Sequence, residues 1–269
     1  MELELKRECL DTYELGEPQT LTQEETAETI VPDYCPDIAR IISVEGVVCL
    51  HGGTEQDGVT GTVRVTVLYT PENESGVRAL EFAMPFSAQG EGLAGCAHVV
   101  VETEIELLES RMLNPRKIFT RCKLVTHLAG CRKVCLTISS DAETDPALLV
   151  EKRCCGQTVS LLRQVAEKDL TFSETMSLSL GREGAAELLH CRANGIMTET
   201  KAIGNKLIFK GVFLVSALYR TIGGQLASAS AELPFSQIME TDSTEENTQV
   251  SMRLRITGTD IQIDGSDDE

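Results

Sequence analysis

Tryptophan is absent from this chain, tyrosine occurs four times in 269 residues, and aromatics make up 4% of the total. Binding surfaces for sugars usually rest on aromatic platforms, so a carbohydrate module is disfavoured from the outset. Positive charge is also scarce. Twenty-four basic residues stand against 42 acidic ones, a formal charge of −18, which repels nucleic acid and anionic lipid surfaces. No segment approaches the roughly 20 apolar residues that cross a bilayer, and the opening "MELELKRECL" has no apolar core of signal-peptide length. Both observations predict a protein of the cytosol without membrane insertion. No CxxC pair occurs among the ten cysteines, which removes zinc knuckles and thioredoxin-like sites. The cysteines read instead as reduced, small apolar residues.

Hydrophobic residues make up 42% of the chain, enough for one large or two ordinary cores. A repeat favours two. "GTVRVTVLY" (Gly61 to Tyr69) and "GVFLVSALY" (Gly211 to Tyr219) both begin with glycine and end in Leu-Tyr. Each is followed by Pro-Phe-Ser, at Pro85 to Ser87 and at Pro234 to Ser236. Upstream, "LELKREC" (Leu3 to Cys9) aligns with "LVEKRCC" (Leu149 to Cys155), and Glu28-Thr29 with Glu174-Thr175. An offset of about 150 residues is too long for a solenoid unit and indicates two copies of one domain, over 1–146 and 147–269.

The apolar residues recur with period two. Val63, Val65, Val67 and Tyr69 share one face of a strand, as do Phe213, Val215, Ala217 and Tyr219. "VSMRLRI" (Val250 to Ile256), "KIFTRCKLVTHL" (Lys117 to Leu128) and "KVCLTIS" (Lys133 to Ser139) read as further strands. "TPENESG" and "TIGG" separate such runs at hairpin-like distances. The fold expected is mainly β: two tandem antiparallel β-sandwich-like domains with a few short helices, at Pro36 to Ile42 and Glu183 to Leu189. "VSLLRQVAE" (Val159 to Glu167) is ambiguous.

Between the strands, "IVPDYCPDIARII" (residues 30–42) places two Pro-Asp pairs around Tyr34 and Cys35. Val31 and Cys35, each before a proline, are expected extended, with Pro36 opening the short helix and Asp37 in its first turn. The second copy has no such stretch. It is therefore either a variable turn or a specific contact surface.

Together "MELELKRE", "ETIVPDYCPDIARIISVEG", "GTVRVTVLY", "MPFS" and "LNPRKI" (Leu113 to Ile118) resemble the SPOCS domain of spore-coat morphogenetic proteins from endospore-forming Firmicutes. The resemblance spans nearly the whole chain, specific in the first copy and looser in the second. It implies a non-enzymatic assembly factor in the mother-cell cytosol at the forespore surface, with other spore-coat or sporulation proteins as partners and no cofactor. Many members carry a C-terminal LysM domain, for which there is no counterpart here. The second copy also lacks counterparts of "RCKLVTHL" and "KVCLTIS", which suggests a fragment of a longer protein or an unfinished sandwich. In the latter case the acidic tail (Asp264 and Asp267 to Glu269) would guard the open edge.

Sharper chemistry finds little support. Cys35 stands between Asp33 and Asp37, where two carboxylates disfavour a thiolate nucleophile. The four histidines are scattered, and only His190 has a neighbouring cysteine, Cys191. "TDSTEEN" and "DGSDDE" lack the spacing of a calcium loop. No phosphate loop, nucleophile elbow or catalytic triad is written here, so no catalytic, metal or cofactor residue is assigned. The candidate partner contacts are Asp33, Tyr34 and Asp37, with Arg116 and Lys117 as a basic counterpart. The ordinary alternative for all five is a turn. A peptidoglycan-binding module is the second functional reading, a hidden enzyme or metal protein the third, and self-association is left open.

Overall fold

The computed structural model describes residues 4–51, 58–143, 151, 153, 156, 158–174, 184–241 and 248–259. Ten strands and no helix are found among them, in three antiparallel sheets.

The first sheet is organised by one long strand. β7 (Lys117–Glu143) runs through both segments that read as separate strands. β1 (Glu4–Leu15) and β2 (Gln19–Ile30) follow one another along one edge, with Leu15 opposite Cys131 and Gln19 opposite Leu128. β6 (His98–Asn114) takes the other edge, with His98 also opposite Cys131. The intervening residues 129–132 do not interrupt β7: β6 stays paired with it through Cys131, and on the other edge the Gly16 amide, between β1 and β2, donates to the Gly130 carbonyl at 2.8 Å.

β3 (Ile38–His51), β4 (Gly58–Pro71) and β5 (Arg78–Gln89) form the second sheet in that order. It lies face to face with the first as a sandwich. Val63, Val65 and Val67 from β4 and Met84 from β5 pack with Ile118 and Leu124 from β7, all essentially buried. The period-two face read in the sequence is thus the core face. β8 (Ala185–Ile203), β9 (Lys206–Thr221) and β10 (Leu226–Glu240) form the third sheet, again with the middle strand central. Its β8/β9 hairpin turns through Gly204-Asn205. Gly204 has φ +61°, a left-handed conformation that glycine adopts without steric cost.

Leu68, on the outer face of β4, joins Val77 and Leu189 of β8 in a small separate cluster. There the third sheet meets the second.

Both expected helices are corrected. The chain enters β3 at Ile38, where the helix was expected to continue to Ile42. The Ile38 amide donates to the Pro115 carbonyl and the Glu72 amide to the Asp37 carbonyl, both at 2.9 Å. Two β-branched isoleucines follow, at 41 and 42, and an isolated helical turn could not repay its nucleation cost against these ladder bonds. Ala185 to Leu189 is likewise the start of β8, with Leu188 opposite Tyr219. "VSLLRQVAE" is neither helix nor strand. "VSMRLRI" keeps its alternating exposure, Met252, Leu254 and Ile256 being half-buried, but belongs to no sheet ladder. The acidic tail lies outside the described residues.

Candidate partner-contact site

Three of the five residues singled out by sequence converge on one guanidinium. Arg116 sits in the tight turn between β6 and β7, where its amide donates to Asn114 Oδ1 at 2.9 Å. Its Nη1 donates to the Cys35 carbonyl at 2.8 Å and to Asp37 Oδ1 at 3.0 Å. Its Nη2 donates to the Val31 carbonyl at 2.9 Å and to Asp33 Oδ1 at 3.0 Å. One planar donor fork therefore satisfies two carbonyls and two carboxylates of a loop about 80 residues away, a geometry that lysine cannot reproduce.

The backbone reinforces the same junction. The Val31 amide donates to the Arg116 carbonyl, and the Cys35 amide closes a turn on the Pro32 carbonyl, both at 2.9 Å. Beneath the loop, the buried Tyr69 hydroxyl donates to the Pro36 carbonyl at 3.2 Å. Burial, and after it the neighbouring Cys35, pushes the Tyr69 hydroxyl up to about 12, so it remains a donor at any physiological pH.

Lys117 is engaged elsewhere, in an ion pair with Glu28 of β2. Tyr34 is the residue left facing outward, 88% exposed at the tip of the braced turn. The sequence singled out the "PDYCPD" and "NPRK" segments as a contact surface with a basic counterpart; within the chain Arg116 braces the loop and Lys117 does not.

The histidines have local partners. His51 contacts Thr62 at 2.7 Å, His127 contacts Thr20 at 3.0 Å, and the rings of His98 and Tyr13 lie 5.9 Å apart. His190 meets Glu45 of β3 at 3.0 Å. Cys191 is its neighbour on a strand and so points to the opposite face.

The expectation that the cysteines are reduced is corrected at one pair. Cys9 and Cys135 are joined as a disulfide across β1 and β7, with Cα atoms 5.8 Å apart. Cys9 lies opposite Thr137 and Cys135 opposite Asp11, so the two are diagonal neighbours on one face, within bridging reach. Together with Asp11 they form an exposed group of metal-ligand types. Bonded sulfurs are not thiolate ligands, however, and Asp11 pairs with Lys133 at 3.8 Å. Cys122 is buried, and burial pushes its thiol up to about 11.

Residues 185–264 match the family model described as SipL, SPOCS domain. The match takes in all of β8, β9 and β10 and the extended segment 248–259, the copy in which the sequence resemblance was looser. No curated protein and no solved structure matches the chain. Over residues 185–264 the chain is thus similar to the SPOCS domain, and the match supports assigning that part of it to the SPOCS-domain family.

Proposed function

We propose that this protein is a non-enzymatic scaffold in endospore coat assembly, binding other sporulation proteins through the surfaces and edges of its sheets. The observation that carries this reading is the SPOCS match, since the family is associated with the spore coat and is non-catalytic. The geometry is consistent with it: the features noted in the sequence resolve into a loop braced from within, with one tyrosine displayed on a rigid mount. Interfaces concentrate binding energy in such aromatic anchors. The paired repeats are read as two copies of the SPOCS unit, over 1–146 and 147–269. The role places the protein in the mother-cell cytosol at the forespore surface.

Capture of partners from sporulating cells tests the contact surface. Tyr34→Ala is expected to weaken capture strongly without changing thermal stability. Undiminished capture by that variant would remove Tyr34 from the interface.

A further inference from the structure

Past Cys131 the first sheet narrows to two strands. β6 leaves β7 there, and from Arg132 to Glu143 the partner of β7 among the described residues is β1 alone. Between Lys133 and Ser140 only Val134 is half-buried, the other residues of β7 being exposed, as are residues 5–9 of β1. A two-stranded ladder with little cover is marginal by itself, so a crosslink between its strands matters.

Three side chains of metal-ligand type meet on one face of this ribbon. Cys9 and Asp11 are two apart on β1, and Cys135 stands directly opposite Asp11, so the pleat turns all three the same way. Their donor atoms lie within 4.8 Å of one another, and all three residues are exposed. No second group of three such donors lies that close together among the described residues.

In the bridged form the two sulfurs are bonded to each other and hold no cation. Reduction changes what they can do. In a reducing compartment two equivalents of a low-molecular-weight thiol, RSH, deliver two electrons to the Cys9–Cys135 bond and leave as RSSR, giving two protein thiols. The ladder holds the two Cα atoms 5.8 Å apart, so the freed sulfurs stay neighbours and side-chain rotation sets their spacing. Sulfur and oxygen donors on a tetrahedral zinc ion, ~2.3 and ~2.1 Å from the metal, stand about 3.5–3.8 Å apart. That spacing is within reach of this group.

We infer that the reduced protein binds one zinc ion on the Cys9 and Cys135 sulfurs and an Asp11 carboxylate oxygen, with water in the fourth position. Zn²⁺ takes the place of the two thiol protons, which pass to solvent. The same two sulfurs thus close the ribbon as a bridge when oxidised and through the metal when reduced. Two thiolates select zinc over magnesium and calcium, which take oxygen ligands. Two thiolates and one carboxylate outweigh the charge of the cation, and basic groups offset the excess: Lys133, opposite Tyr13, and Arg7, two residues before Cys9, share the face. The contact of Lys133 with Asp11 at 3.8 Å is no obstacle, because an exposed ion pair that long contributes little against a metal bond. Each form of the crosslink joins residues 126 apart in sequence, and so restrains the unfolded chain.

A metal held here is independent of which partner the scaffold binds. The full chain, reduced with a phosphine and kept free of oxygen, is titrated with Co²⁺, whose tetrahedral thiolate complexes absorb strongly in the visible where its aqua ion does not. One equivalent per chain is expected to raise these bands and Zn²⁺ to bleach them, and the bridged chain should show neither effect. Cys135→Ser is expected to abolish the bands and Asp11→Asn to weaken Co²⁺ binding by about 10-fold. Cys35→Ser and Cys96→Ser, at half-buried thiols, should leave them unchanged. Zn²⁺ should also raise the melting temperature of the reduced wild-type chain and not that of Cys135→Ser, with circular dichroism confirming that the variants fold. A colourless titration of the reduced chain, equal bands from Cys135→Ser, or wild-type affinity in Asp11→Asn overturns the inference.

Discussion

Phe86 of β5 lies with its ring edge over Gly61 of β4, directly opposite it in the ladder. A methyl group at Gly61 would stand 2.5 and 2.6 Å from Phe86 Cζ and Cε1 and 2.9 Å from the Cys49 carbonyl oxygen. Gly211 and Phe235 reproduce the pair in β9 and β10, at the same 2.5 and 2.6 Å. The glycine that opens each "GTVRVTVLY"-type strand is thus the floor on which the phenylalanine of Pro-Phe-Ser rests.

Gly61→Ala is accordingly expected to destabilise the protein by about 1–3 kcal/mol, the usual cost of overpacking a filled site. The added Phe86→Leu substitution should recover part of the loss, because it withdraws the atoms that collide. Thermal melts of the two single variants and the double variant measure the coupling. Strict additivity would show that the ring does not rest on the glycine.

Arg116→Ala strands two carbonyls and two carboxylates that now share one guanidinium. It should cost on the order of 1–3 kcal/mol, as partly buried acceptors lose charged donors. Arg116→Lys should restore little, since a single ammonium cannot satisfy four acceptors on two sides. Tyr34→Ala should leave the melting temperature unchanged. A stable Arg116→Ala variant would contradict the bracing role.

Stability should fall on the alkaline side. The Tyr69 hydroxyl is raised from 10.0 to about 12 and the Cys122 thiol from 9.0 to about 11, both chiefly by burial. In each case the folded state holds its proton longer than the unfolded chain. The stabilisation is complete below the unfolded value and drains away as pH rises through the window up to the folded one, here from about 9 to 12. Tyr69→Phe, although it loses the bond to Pro36, should show a shallower decline between pH 10 and 12. An identical decline in wild type and variant would place the titration elsewhere.

Alkylation in the folded state should follow exposure. Cys35 and Cys96 are half-buried, whereas Cys49, Cys122 and Cys131 are buried, and burial raises the thiols of all three. Iodoacetamide near pH 8 is expected to label the first two well ahead of the others. Peptide mapping without reductant should recover Cys9 linked to Cys135. Early labelling of Cys122, or separate Cys9 and Cys135 peptides, would contradict these placements.

Sequence revealed the strands where alternation is strict. Val63, Val65 and Val67 could be assigned to a core face because every intervening residue is polar or exposed, and the repeat identified their partners in β9. It misread the residues after Pro36 because local proline and aspartate signals favour a helix start, whereas the deciding hydrogen bonds come from Pro115 and Glu72, distant in sequence. At the candidate site five residues could be singled out, with Arg116 and Lys117 as a basic counterpart to the loop, but not which of the two bases meets it. Asp33, Asp37 and Arg116 are charged residues in turns, and only the register of β6 and β7 brings the arginine under the loop. Segment 248–259 shows the limit of periodicity, which predicts the two faces of an extended chain without saying whether another strand lies beside it.

The most direct test of the account is to follow the protein by immunofluorescence through a sporulation time course in its native organism, with vegetative cells as the control. A shell of signal around the developing forespore, absent from vegetative cells, is the predicted result. Diffuse signal already present in vegetative cells would contradict a role in coat assembly and leave the SPOCS fold without that function.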